Sequence, residues 1–414
     1  MGRRAPGPGG RVKILIHTMY YLPDFGSAPV LMDELARGLA AAGHEVEVVT
    51  TLPRRRGPEF RGLAASTRIE GGVAVKRLWA NSASHPLARL LAWNLYTAGA
   101  LLNLRTVRRG DVMFLRTPPL QLGLPALFAK VFRGARVVVN VQDIHPDLAI
   151  ESGILRNPAA IRLAKALEMW VYGLADRIVV ISEGFARNLR VKGVPAAKIE
   201  VLPNWVDTDL LRPGAKDNPV ARRHGLDRRF VVLYSGTISI SSNRTLELAL
   251  EAAARLAGDG EILFVVVGEG LKKKDLEARA AALGLANVLF LPFVPYAELP
   301  DLLAAADVLL VPLDRSKSDL SVPSKLYTFL AAGRPVLGLA APDSEVARLL
   351  RENDCGLIAP PDDPAAIAAA VTELARSPER RRVLGANARD YVVRRFAKAD
   401  IIRAYDALLR SMVS

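Results

Sequence analysis

"VPSKLYTFLAAGRPV", residues 322–336, reads as a helix that opens at a proline and closes at a glycine. Pro323 suits a first turn, where its missing N–H would be unpaired anyway, and Gly333 followed by Pro335 stops the run. Leu326, Phe329 and Leu330 fall at spacings of three and four, the stripe of a buried helix. Short apolar runs flank it, "DVLLVP" (307–312) before and "PVLGL" (335–339) after. Strand, helix and strand in that order indicate a parallel sheet covered on both faces. One residue fits a buried helix poorly. Lys325 lies in the first turn, where the helix dipole disfavours a cation, so a negative group is expected beside it.

The same alternation extends in both directions. Strands are expected at 12–17, 45–50, 73–79, 111–116, 135–141, 177–182, 198–203, 230–235, 261–268 and 287–291, besides the two already quoted. That is too many for one compact sheet, and 414 residues suit two domains. Pro, Gly, Asp and Asn cluster at 202–230, where the boundary belongs. The expected division is a tail at 1–11, a first Rossmann-like domain at 12–206 and a second at 207–390. Closing helices at 391–414 are expected to cross back onto the first domain. The fold class is therefore α/β, with two Rossmann-like domains and a cleft between them as the default active site.

Composition excludes several classes. No run approaches 18 uncharged apolar residues, so no spanning helix is expected, and the "MGRRAPGPGGR" opening resembles a frayed tail rather than a signal peptide. The single cysteine, Cys355, excludes an internal disulfide and a multi-cysteine metal site. A cytoplasmic protein is expected. Net charge is +14, carried in scattered clusters without interleaved aromatics, so nucleic acid is not the expected partner. The charge reads either as solvated faces or as attraction to an anionic membrane surface or a phosphorylated substrate. Residues 84–107 read either as a core helix or as a partly exposed helix touching lipid at the inner face of the plasma membrane.

Neither a dinucleotide-type Gly-x-Gly-x-x-Gly after a strand nor a Gly-x-x-x-x-Gly-Lys-Ser/Thr loop is present. Three strand ends instead run into small residues: "YYLPDFGSAP" after the first, "SGTISISSNR" after 230–235, and "GEG" after 261–268. Such turns are expected to leave backbone N–H groups free for a phosphorylated ligand. "DTD" (207–209) mimics a metal-binding pair but lies in the interdomain turn, where Asp favours local backbone bonds, so no catalytic metal is expected.

Taken in order, "YYLPDFGSAP…ELARGLAAAGHEVEVVT", "VQDIHPD", "LPNWVDTDLLRP", "YSGT", "VVVGEG", "LFLPFVPYAELPDLLAAADVLLVPL" and "VPSKLYTFLAAGRPV" resemble the family 4 retaining glycosyltransferases. The likeness is strongest to the WbuB-type branch of bacterial surface-polysaccharide enzymes. It implies the GT-B arrangement of two facing Rossmann-like domains. It also implies a nucleotide-sugar donor (UDP-sugar favoured, GDP-sugar the alternative) and a lipid-linked or saccharide acceptor. No cofactor beyond the donor is implied. By matching motif, Gly26 and Ser27 would border the donor phosphates, and Ser235, Gly236 and Thr237 would lie near the diphosphate. Gly268, Glu269 and Gly270 would line the nucleotide site, with Phe293 and Val294 at the base and Pro323, Ser324 and Lys325 capping the diphosphate. Arg244 and Lys325 would stabilise charge on the departing diphosphate.

The chain departs from the family pattern in three places. Leu320 and Thr328 occupy the positions of two glutamates, so Thr328 would replace a carboxylate against the donor. The first-domain histidine gives way to Gln142 and Asp143, with His145 two residues on. Asp143 is the expected substitute, and Gln142 and His145 lie on the acceptor side. The basic residues expected after the "SG" turn are reduced to Arg244. Two other functions share the fold: a nucleotide-sugar 2-epimerase, for which five unclustered histidines are poor support, and a non-catalytic nucleotide-sugar-binding homologue.

Overall fold

The computed structural model describes residues 10–24, 26–53, 66–79, 86–151, 153–238, 240–313 and 323–413. Two compact units emerge. One contains the chain up to Asn204 together with a return from Ala399, and the other runs Trp205–Lys398.

The first unit holds β1 (Lys13–His17), β2 (Glu45–Thr51), β3 (Ser66–Glu70), β4 (Val73–Leu78), β5 (Val112–Thr117), β6 (Arg136–Val141), β7 (Arg177–Val180) and β8 (Ile199–Val201). The sheet order is β3-β4-β2-β1-β5-β6-β7-β8, parallel except for β3 against β4. β3 was not expected from the sequence. Its alternating "STRIE" lacks an apolar run, yet the Gly71-Gly72 step, both at positive φ, turns it back onto β4 as an edge hairpin.

The second unit holds β9 (Phe230–Ser235), β10 (Ile262–Val267), β11 (Val288–Leu291), β12 (Val308–Pro312), β13 (Val336–Leu339) and β14 (Gly356–Ala359). All pairs are parallel, in the order β11-β10-β9-β12-β13-β14. β14 is the second unexpected strand. Gly356 opens it because a Cβ there would stand 1.9 Å from the Val336 carbonyl oxygen.

Away from the exposed edge strand β3, both sheets are largely buried on both faces, as the apolar strands predict. In the first unit Leu15, Met113, Leu115, Val137, Val139 and Val141 share one core. The opposite face is closed by the helix Lys398–Ser411. Its Tyr405 ring meets Phe114 edge-on at 5.9 Å, and its Asp406 takes a 2.5 Å hydrogen bond with His44 Nε2. His44 Nδ1 accepts from the Val12 amide, so the Nε2 proton points at Asp406. The expected return at 391 thus begins later. Residues through Phe396 belong to the helix Pro378–Phe396 of the second unit, where Tyr391 and Phe396 pack against Leu326 and Phe329 in one core.

The 84–107 segment forms the helix Pro86–Leu102 and a 3-10 turn at Asn103–Thr106. Ala92, Tyr96 and Ala100 enter the core, while Leu91 and Leu102 remain 61% and 78% exposed. The helix is both a core helix and an apolar surface. Among the described residues no helix is long and apolar enough to cross a membrane.

Candidate active site

Order reverses between β9 and β12 in the second sheet, because β10 and β11 extend one way and β13 and β14 the other. Helices leaving such a pair diverge, and a crevice opens at the carboxyl ends. The chain leaving β12 reaches Lys325 at the start of the helix Lys325–Ala331, and β9 carries Tyr234. The expected helix begins two residues later than Pro323, which precedes the Ser324 N-cap. Leu326, Phe329 and Leu330 are buried as the stripe requires.

Lys325 and Tyr234 are the centre of this edge. Lys325 Nζ donates to the Tyr234 hydroxyl at 2.9 Å and lies 4.0 Å from its ring centroid. The hydroxyl donates onward to the Thr237 carbonyl oxygen at 2.8 Å, which fixes its direction. Burial pushes the Tyr234 phenol up to about 12, so it stays neutral and cannot balance the ammonium. The same burial pushes Lys325 down to about 7. Gly236 makes room for this cation. At φ +152° a Cβ there would lie 2.5 Å from Lys325 Nζ.

The neighbouring turns are more tightly bonded than the sequence suggests. The Gly236 amide donates to Val267 O, the Ile238 amide to Glu269 O and the Gly268 amide to Leu291 O, at 2.9, 2.9 and 3.0 Å. These amides prolong the sheet and are not free for a ligand. Gly268 is required for that prolongation, since a Cβ would stand 2.0 Å from Gly236 O. Thr237, Glu269 and Gly270 stay exposed beyond it, while Ser235 is half-buried.

Other expected donor residues are spread along this edge. Glu269 pairs with Lys273 of its own turn at 2.8 Å. Phe293 is 50% exposed after β11, and Val294 packs on the core. Thr328 is half-buried one turn beyond Lys325. Arg244 lies in the second turn of the helix Ile240–Arg255, highly exposed and paired with Glu247 at 3.5 Å, so it is not gathered with Lys325 in this conformation. Leu320 lies outside the described residues.

In the first unit the reversal falls between β1 and β5. Gly26, at φ +121°, and Ser27 are exposed where the loop after β1 enters the helix Ser27–Ala41. After β6, the Gln142 amide is engaged at both ends: it donates to Asn140 Oδ1 at 2.8 Å and accepts from Asn204 at 3.0 Å. Gln142 is therefore a strut. Asp143 is half-buried, and its carbonyl accepts the His145 amide at 3.1 Å. His145 is half-buried and precedes Pro146 through a cis peptide bond.

Two family descriptions match successive parts of the chain: the glycosyl transferase 4-like domain over residues 26–205 and glycosyl transferases group 1 over residues 220–391. The chain belongs to the family 4 glycosyltransferases. Among relatives of this glycosyltransferase is the glycosyl transferase WcaI of Escherichia coli K12, named for colanic acid biosynthesis. It is 29% identical over 95% of this chain and 98% of its own. A GDP-mannose-dependent alpha-mannosyltransferase of Mycobacterium tuberculosis is 26% identical over 90% and 92% of the two chains. Anabaena HepE, solved with UDP-glucose, superposes with a TM-score of 0.71 at 18% identity, covering 97% of this chain and all of that one. The likeness to such structures shows the GT-B fold.

Three side chains of this glycosyltransferase escaped the sequence reading. Tyr234 looks like any apolar strand residue in "FVVLYS", and only the fold brings it to a lysine 91 residues away. His17, at the end of β1, is 1% exposed with neither ring nitrogen bonded among the described residues, and burial pushes it down to about 4. Arg116, near the end of β5, is 8% exposed with its Nε unbonded. A polar residue closing an apolar strand is the one sequence signal that all three share.

Proposed function

We propose that the protein transfers a sugar, with retention of anomeric configuration and without a catalytic metal, from a UDP-sugar to a lipid-linked or saccharide acceptor in cell-surface glycan synthesis. A GDP-sugar is the alternative donor. The observation that carries this reading is Lys325: a desolvated cation with a neutral partner, at the carboxyl-edge crevice of a parallel sheet. Such a cation is suited to a diphosphate, whose negative charge grows as the glycosidic bond breaks. A donor phosphate oxygen takes the acceptor hydroxyl proton on the face from which the diphosphate departs. The sugar passes to the acceptor oxygen, and the electron pair of the broken bond stays with the diphosphate. In this mechanism Lys325 is the charge-stabilising residue and Tyr234 positions it. Thr237, Glu269, Gly270, Ser324 and Thr328 contact the donor, and Asp143 contacts a sugar hydroxyl.

Names of relatives support both donor choices and the glycan role: UDP-glucose in HepE, GDP-mannose in the mannosyltransferase and colanic acid in WcaI. The chain is also proposed to dock peripherally on anionic membrane, given its +14 charge and the exposed Leu91, Leu102, Val131 and Phe132 of the first unit. The test is calorimetric titration with UDP, GDP and their sugars, followed by sugar release assayed with and without chelator. Binding of neither nucleotide would overturn the donor reading; strict manganese dependence would overturn the metal-free mechanism. A non-catalytic nucleotide-sugar binder is the second reading, favoured by Arg244 being turned onto Glu247. Donor binding with no turnover on any glycan acceptor would establish it.

A further inference from the structure

Arg116 is a buried cation of the first unit. It follows Leu115 near the carboxyl end of β5, and its side chain alternates onto the face that carries Phe114 and the helix Lys398–Ser411. At 8% exposure it is more than nine-tenths buried, yet its Nε has no hydrogen-bond partner among the described residues. Two other buried or partly buried arginines are held differently. Arg77, buried to 1% exposure, bonds Glu70 at 2.6 Å and the Leu22 carbonyl at 2.8 Å. Arg334, whose Nε is also unbonded, bonds two carbonyls through the rest of its guanidinium.

The groups whose fields reach Arg116 are Asp143 after β6, Tyr20 in the loop after β1, and Tyr405 on the closing helix. All three belong to elements at or beside the β1–β5 reversal, and diverging connections at such a reversal characteristically leave a crevice. Next to it a row of amides and a phenol is bonded to itself, Tyr405–Asn140–Gln142–Asn204, so those side chains neither neutralise the cation nor move easily. Asp143 is half-buried beside it. The site therefore offers a buried guanidinium with planar donors and, after the neighbouring strand, a half-buried carboxylate acceptor.

We propose that the crevice at the carboxyl ends of β1 and β5 recognises an anionic acceptor sugar, with Arg116 holding its phosphate or carboxylate and Asp143 accepting from an adjacent hydroxyl. This rests on the glycosyltransferase reading and specifies the acceptor class within it. A guanidinium provides five N–H donors and no acceptor, so a neutral sugar would satisfy its hydrogen bonds but leave the buried charge balanced by Asp143 alone. An anionic group does both.

The full chain is saturated with UDP, which occupies the donor site, and then titrated with glucose, glucuronic acid, glucose 6-phosphate and inorganic phosphate. Tenfold or tighter binding of an anionic sugar than of glucose is expected. The glucuronic acid and glucose 6-phosphate arms decide between carboxylate and phosphate. Inorganic phosphate alone should bind more weakly than the preferred sugar, because it lacks the hydroxyl for Asp143. Arg116→Gln should remove the preference, Arg116→Lys should retain part of it, and neither should change UDP affinity. Equal binding of glucose and both anionic sugars by the parent chain overturns the proposal. So does loss of UDP affinity in Arg116→Gln, which would assign Arg116 to the donor. If Arg116 and Asp143 only steady the fold, Arg116→Lys and Asp143→Asn will lower the melting temperature and leave sugar preference unchanged, which also overturns it. Failure of the parent chain to bind any nucleotide would instead remove the glycosyltransferase reading beneath.

Discussion

Donor binding should be coupled to a proton through Lys325. Its ammonium is held down to about 7, from an ordinary 10.5, by desolvation alone. At about 1.4 kcal/mol per pH unit, that difference is on the order of 5 kcal/mol of lost hydration, which an anion at the same place can offset. The sign follows from proton counts. Between pH 7 and 10.5 the unfolded chain holds this proton and the ligand-free fold does not, so Lys325 makes the free fold more stable as pH rises through that window. A bound diphosphate reverses the preference by drawing the proton back. Near pH 7 about half of the free molecules are charged, and near pH 9 roughly one in a hundred, so apparent UDP affinity should fall about fifty-fold over those two units. The nucleotide's own phosphate ionisation, near pH 6, lies below that range. Calorimetry in buffers of different ionisation enthalpy should show uptake of about half a proton at pH 7, approaching one at pH 8.5. Lys325→Arg should bind with a flat pH profile, since a guanidinium does not titrate there. A parent chain whose affinity changes less than threefold from pH 7 to 9, with no proton uptake, would refute the assignment of Lys325 to the diphosphate.

Lys325→Ala should lower kcat by about 10² to 10³ while weakening donor binding far less, because the contact strengthens as the diphosphate departs; near-normal turnover would reduce the lysine to a packing residue. Gly236→Ala must displace the ammonium 2.5 Å from the new Cβ, and should reduce UDP affinity by about tenfold, some 1.4 kcal/mol by calorimetry. Gly268→Ala, whose Cβ would meet the backbone oxygen of Gly236 at 2.0 Å, should destabilise the fold by about 2 kcal/mol or more in denaturant titration. His17, pushed down to about 4 from 6.5, is protonated in the unfolded chain first. Stability should therefore fall by up to about 3 kcal/mol as pH drops from 6.5 to 4, and His17→Gln should flatten that slope. Thr328→Glu should tighten nucleotide binding if the donor ribose reaches this helix turn; weaker binding would place the ribose elsewhere.

The sequence by itself determined the local elements and their order. Apolar strands alternating with striped helices permit little besides a parallel sheet, and Asn218, Ser344 and Asp363 cap their helices through side-chain oxygens a few residues away. Those interactions are short in sequence, so their signals are local. Motif order pointed to a glycosyltransferase for the same reason. The state of each functional group was decided elsewhere. Lys325 becomes a weakened cation only when β9 brings Tyr234 beside it. The Gly236 and Gly268 amides look free in sequence and are spent because sheet hydrogen bonding carries on one residue past the ends of β9 and β10. β3 lacks an apolar run of its own, and the "GLIA" of β14 is too short to signal a strand; both become strands by pairing, with β4 and β13. Arg116 reads as an ordinary charge after "DVMFL", and only its burial in the folded first unit removes its water. Hydrogen-bond saturation and desolvation are set by neighbours distant in the chain, and a linear pattern of residues carries no record of them.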